Sequence, residues 1–384
     1  MAEKELEVTE QKVEEPKQEE KPKKKKKGKG LIIGISVTLV TLAVIYFVGG
    51  TILGYFAIDY FMKQRNTKES DLTTFYNKVF DTRKDLSYLN TREEIIFKVS
   101  DKEVKGYLYE APSPKGIIIG SHDVMDQSDG SISQAYNYFV QNGYDVFAFD
   151  HLGCGRSAGD GIVSMYQSKY TVLEAIKAVK GIERLSTLDV MLFGHSFGGY
   201  GVVAASGDEN VKAVAALGAY NNARDMLYQY ALDHISQWLV LLTPDFDIAC
   251  NIINSKEYYH NCAEEVAKYH ESKKFLIAHG TKDTSVNAKA SLLGAVKGKN
   301  YSNVTCVELQ DLKHDHLWNT ADAAQHTEEV IKNYEQVKAR YNGNIPEDVY
   351  AELVATADKA RNSALNEDLL HQIVEMYDSA VSNH

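Results

Sequence analysis

The sequence predicts an α/β architecture, a mostly parallel sheet covered by helices on both faces, preceded by a separate apolar segment. Three observations carry this. From about residue 91 onward, short apolar runs alternate with stretches of helical periodicity, the pattern of strands joined by crossover helices. One of those runs leads into "GHSFGG", a glycine-flanked serine placed at a strand-to-helix turn. And Leu31 to Ile58 contains no charged residue.

Residues 1–30 hold ten lysines and eight glutamates, end in "KPKKKKKGKG", and carry almost no large apolar side chains. Such a segment buries too little surface to fold, so a disordered tail is expected. The charge-free stretch 31–58 exceeds the ~20 residues that a bilayer core requires. Tyr55, Phe56, Tyr60 and Phe61 cluster at its far end, as interfacial aromatics do, and the lysine block lies just before it. The expectation is a single transmembrane helix acting as a signal anchor in the cell membrane. The N-terminus would stay cytoplasmic and everything after about residue 62 would lie outside the cytoplasm. A polar juxtamembrane segment, 63–90, should link the span to the folded domain.

The chain has a formal net charge of −11, and the lysine-rich tail leaves the remainder more acidic still. That argues against a nucleic-acid partner, which needs a basic footprint. Four cysteines are few. Cys250 and Cys262 could pair or stay as two thiols. No Cys/His spacing resembles a zinc site, so no metal is expected.

In the domain, "EEIIFKVS" and "VKGYLYEA" read as a hairpin, and "GIIIGSH" as a short buried strand. "ISQAYNYFVQNG" has helical spacing and stops at Gly143, "YDVFAFD" is a strand, and "YTVLEAIKAVKGI" is a helix. "VMLF" before the serine, then "VKAVAALGAY", "KFLIAHG" and "VTCVELQ", complete the strands. Residues 221–273 form a long, aromatic-rich insertion, helical by pattern, expected to act as a lid. Trp238 gives it an apolar face that either packs on the domain or meets an acyl chain. The main domain is expected over 91–344, with two C-terminal helices over 345–384 packed on it.

Val190 to Phe193 form the apolar run that precedes Gly194-His195-Ser196-Phe197-Gly198. A serine hydroxyl is a weak nucleophile and needs a histidine base oriented by a carboxylate. Downstream, Asp283 stands just past the "KFLIAHG" strand, and His314 and His316 stand just past "VTCVELQ". Carboxyl ends of parallel strands are where such a sheet forms its site. The order serine, acid, histidine also matches a nucleophile elbow's partners. The backbone N–H of Phe197, the residue after the serine, is placed to stabilise a developing oxyanion.

With "GHSFGG", "HGTKDTSV", "DLKHDH" and "DHLGCGRSAGDG", the chain resembles the α/β-hydrolase family, and within it the monoacylglycerol-lipase and serine-aminopeptidase-like group. The resemblance covers roughly Glu93 to Tyr341. It implies an α/β-hydrolase fold with Ser196 as nucleophile, Asp283 as acid and His314 as base, and no cofactor. His316 remains the alternative base, and Asp311 and Asp315 are read as loop carboxylates. It also implies a second oxyanion donor in the loop after the first parallel strand, by position Val124. There the chain departs from the family: Asp123 stands where a glycine is expected. His122 is expected to orient that loop, with a substrate-facing position as the alternative. Asp123 and Asp126 are either solvated or face the site and select a cationic substrate group.

The expected activity is that of a carboxylesterase or lipase acting on a small-molecule ester. An aminopeptidase acting on a peptide, or a silent member of the fold that binds a partner, are the alternatives.

Overall fold

The computed structural model describes residues 27–64, 71–80, 92–124, 129–159, 161–162, 164–234, 247–248 and 256–381. Asp126, Trp238 and Cys250 lie outside the described residues.

Strands β1 (Glu93–Val99), β2 (Lys102–Tyr109), β3 (Gly116–Ser121), β4 (Tyr144–Phe149), β5 (Val190–His195), β6 (Val211–Leu217), β7 (Lys274–Gly280) and β8 (Val304–Leu309) form one sheet. Its order is β1-β2-β4-β3-β5-β6-β7-β8. The β1–β2 hairpin is antiparallel and joins β4 antiparallel, while every pairing from β4 to β8 is parallel. Parallel strands buried on both faces need continuous apolar runs, and "GIIIGS", "YDVFAF" and "VMLFGH" are buried at every position.

The helices are α1 (Lys27–Gln64), α2 (Asp71–Phe80), α3 (Ser133–Gln141), α4 (Gln167–Lys180), α5 (Glu183–Ser186), α6 (Phe197–Ala204) and α7 (Ala223–His234). After α7 come α8 (Cys262–Tyr269), α9 (Leu292–Val296), α10 (Ala321–Arg340), α11 (Glu347–Thr356), α12 (Lys359–Asn362) and α13 (Glu367–Asp378). Alternation along the strands separates two cores. Ile117, Ile119, Val190 and Leu192 face one side with α4, α6 and α8. Ile118, Met191 and Phe193 face the other with α3 and α13. Both faces are therefore covered, as expected.

Three expectations change. The 63–90 segment is not simply a polar link. Its helix α2 buries Phe75, Val79 and Phe80 in a third core with Tyr334 of α10 and Leu353 of α11. The 221–273 insertion divides, because Cys262 and Val266 of α8 belong to the main core beside α6. Cys262 is a free, buried thiol whose Sγ lies 3.6 Å from the Tyr200 carbonyl oxygen. The C-terminal stretch forms three helices rather than two. The last is pinned to the sheet by Tyr377, whose hydroxyl donates to the Leu192 carbonyl at 2.7 Å.

In α1, Ile33–Gly54 is a 22-residue stretch of mean hydropathy 2.1. Large apolar side chains from Ile33 to Leu53 are exposed along it.

Candidate active site

β5 ends at His195 and α6 begins at Phe197, so Ser196 alone makes the turn. It does so at φ 54°, ψ −113°, a conformation that a side chain rarely adopts. The turn is held by neighbours: the Ser196 N–H donates to the Leu217 carbonyl at 2.8 Å, and the Ser196 carbonyl accepts from the Tyr200 N–H at 2.9 Å. A Cβ on Gly194 would overlap the Gly198 carbonyl, and one on Gly198 would overlap the Ser121 carbonyl at the end of β3. The two glycines are there because backbone meets backbone at these points.

Three strand ends converge here. His314 Nε2 lies 2.7 Å from Ser196 Oγ, and His314 Nδ1 lies 2.7 Å from Asp283 Oδ2. With Asp283 ionised, Nδ1–H donates to the carboxylate and Nε2 is left to accept the serine proton. The carboxylate is itself fixed, since Oδ1 accepts from the N–H groups of Ser285 and Val286, each at 2.9 Å. Burial opposes its charge. The hydrogen bond and charge of His314, the His279 ring and the Val286 N–H outweigh that and hold the carboxyl below its usual range. His279 Nε2 sits 3.2 Å from Asp283 Oδ2 and 2.9 Å from the Val286 carbonyl. For His314, burial alone would push the imidazole down. The hydrogen bond and charge of Asp283, with the charges of Asp315 and Asp123, push it up to about 9.

Of the two candidate histidines, His314 is the one between Ser196 and Asp283. His316 stacks on Tyr76, its Nδ1 3.5 Å from the Tyr76 hydroxyl. Asp311 pairs with Lys282 at the surface, 2.8 Å away, and Asp315 is exposed. His195 is no second base: its Nε2–H donates to the His314 carbonyl at 2.8 Å and so ties the elbow to the histidine loop. Ligand atoms of His195, His314 and Asp315 lie within 4.8 Å of one another. Yet both nitrogens of His314 are engaged with Ser196 and Asp283, which suits proton transfer rather than chelation.

The loop after β3 is the unexpected part. The Phe197 N–H points at Asp123 Oδ1, 3.3 Å away. Asp123 is 2% exposed, so the solvated reading is replaced by a buried carboxylate against the Phe197 N–H. His122, also buried, commits both ring nitrogens to backbone. Nδ1–H donates to the Asp123 carbonyl at 2.6 Å, and Nε2 accepts from the His151 N–H at 3.1 Å. Both bonds tie the ring to the backbone of its own loop and of the loop after β4. Val124, next in the chain, is buried. Three neighbours went unnoticed in the sequence: His279, His195 in its tying role, and Tyr76. His195 and Tyr76 meet partners remote in the chain, and His279 meets Asp283 and a backbone carbonyl only once the loop after β7 folds back.

A family model described as "Serine aminopeptidase, S33" matches residues 112–367. The match runs past Tyr341 and takes in α11 and α12, further than the motifs alone suggested. A comparison with curated proteins found no match. Among solved structures, an esterase of Pyrococcus furiosus is 17% identical with a TM-score of 0.48, covering 67% of this chain and 94% of that one. A Butyrivibrio proteoclasticus protein with ferulic acid bound is 19% identical with a TM-score of 0.44, covering 63% and 98%. The esterase domain of a Rhodothermus marinus protein is 18% identical with a TM-score of 0.42, covering 63% and 96%.

Proposed function

Because the chain belongs to the α/β-hydrolase family, in the group described as serine aminopeptidase, we propose that it is a membrane-anchored serine hydrolase that cleaves a carboxylic ester through an acyl-enzyme. The observation that carries the reading is the pair of 2.7 Å contacts joining Ser196, His314 and Asp283. Ser196 Oγ attacks the acyl carbon while His314 Nε2 takes its proton. The tetrahedral oxyanion turns to the Phe197 N–H, with Val124 as the second donor. The imidazolium then gives its proton to the departing alcohol as the C–O bond breaks. Water, deprotonated by the same imidazole, attacks the acyl-enzyme and restores the Ser196 hydroxyl. The part of the insertion that precedes α8, with Trp238, is the proposed cover of the acyl group.

Membrane attachment is supported by α1. Its uncharged 22-residue stretch extends about 33 Å at 1.5 Å per residue, enough for a hydrocarbon core of about 30 Å. The lysine block before it keeps the N-terminus cytoplasmic in this reading.

A second reading, cleavage of aminoacyl amides from a free amino terminus, is favoured by Asp123. A substrate ammonium beside the scissile carbonyl would neutralise the carboxylate that otherwise opposes the oxyanion. The test is a fluorophosphonate probe on the full-length protein in detergent, followed by a panel of short and long acyl esters against aminoacyl amides. Absence of Ser196 labelling would sink the serine reading, and amide turnover above ester turnover would move the assignment to the second.

A further inference from the structure

We propose that Tyr76, on the helix that follows the apolar span, is a positioning residue for His314; the inference rests on the serine-hydrolase reading. The segment carrying His314 runs between two non-glycine residues with positive φ, Asp311 at 64° and His316 at 58°. Such conformations persist only when their surroundings hold them. Asp311 is held by Lys282 at 2.8 Å and by the Thr281 hydroxyl, which accepts its N–H at 3.1 Å. His316 is held between two rings. Tyr76 lies parallel to it, 13° between planes and 5.9 Å between centroids, and Trp318 meets it edge-on at 5.7 Å.

From there a continuous path leads to the reacting atoms. Trp318 stands edge-on to His195 at 5.5 Å, and His195 Nε2–H donates to the His314 carbonyl at 2.8 Å. The His195 and His314 rings are themselves 5.2 Å apart. Packed rings of this kind have discrete arrangements, so loss of one end shifts the other.

Tyr76 also packs on Phe80, 4.7 Å between ring centroids, but helix α2 has other anchors. Phe75 is fully buried and stacks on Tyr334 at 4.3 Å, Val79 and Phe80 are buried, and Asp71 pairs with Lys338 at 3.0 Å. Removing the Tyr76 ring therefore removes a brace and leaves the helix docked. The helix also lies outside residues 112–367 that the family model matches. It brings the segment after the apolar span against His316 in the histidine loop.

The experiment uses the full-length protein in detergent and compares wild type, Tyr76→Ala, Tyr76→Phe and Phe75→Ala. The readouts are the fluorophosphonate labelling rate, kcat and KM for an activated ester, and thermal melting. Misplacing a catalytic group by about 1 Å costs on the order of 100-fold. Tyr76→Ala should lower kcat and the labelling rate by about 10- to 100-fold, with KM and melting temperature close to wild type. Tyr76→Phe, which keeps the ring, should restore the rate. The inference is overturned if Tyr76→Ala labels at the wild-type rate or if Phe fails to rescue. It is equally overturned if the loss tracks a lowered melting temperature as in Phe75→Ala. A wild-type protein that takes no label contradicts the serine reading itself, a result distinct from a labelled wild type indifferent to Tyr76.

Discussion

His314 answers two opposed demands. Its charged form is stabilised by Asp283, Asp315 and Asp123 up to about 9, yet only the neutral form can take the serine proton. The folded-state value lies above the ordinary 6.5. Its contribution to stability is therefore complete below about 6.5 and fades as pH rises through about 9. Over the same interval the base is set free. Turnover of a neutral ester should rise about tenfold per pH unit from 7 and level off beyond about 9, while the melting temperature falls. A pH–rate profile and a pH series of melts check both signs. Asp123 sharpens the demand. Two negative oxygens about 4 Å apart repel by ~4 kcal/mol at an effective dielectric constant of 20. Rotation of the side chain relieves part of this, so Asp123→Asn should raise kcat on a neutral ester by about tenfold or more. For an aminoacyl substrate the same change should instead raise KM. Substrate-paired kinetics of that variant decide which acyl class the site favours.

The central strands β3 to β7 were readable because they are short, largely apolar runs between turn residues, which a buried parallel sheet requires, whereas β1 and β8 are mixed and partly exposed. Ser196, Asp283 and His314 were readable for a related reason: each stands one to several residues past the end of a strand. Helix α2 was not. Among its described side chains the buried ones are Phe75, Val79 and Phe80, and their partners Tyr334 and Leu353 lie far along the chain. In isolation it reads as a polar linker. Nor could the orientation of Asp123 be read, because it depends on where the elbow's N–H arrives in three dimensions. The C-terminal helices show their apolar spacing but not their depth. Leu370, Ile373 and Tyr377 of α13 are fully buried against the sheet. Ile373→Ala should cost about 2–5 kcal/mol by loss of burial and a residual cavity. Denaturant melts should register that loss while kcat of the folded fraction stays at the wild-type level, because α13 lies on the face of the sheet away from α6 and the elbow.

At the scale of the molecule, the proposed topology separates a lysine-rich tail from a hydrolase domain by one apolar helix. If α1 spans the membrane with its N-terminus inside, protease added to intact cells should digest the domain and spare an N-terminal tag. Digestion of the tag with protection of the domain would reverse the orientation.

The central claim is that Ser196, His314 and Asp283 act as one unit on an acyl carbon. The most direct measurement is hydrolysis of an activated ester, with thermal melting alongside, for Ser196→Ala, His314→Ala, Asp283→Asn and His316→Ala. Members of such a unit are not additive. Ser196→Ala and His314→Ala should each lower turnover by about a million-fold and Asp283→Asn by roughly ten-thousand-fold, all with folded melting curves. His316→Ala should keep a far larger share of the rate. Full activity of Ser196→Ala with an unchanged melt, or an active His314→Ala beside a dead His316→Ala, would contradict the account.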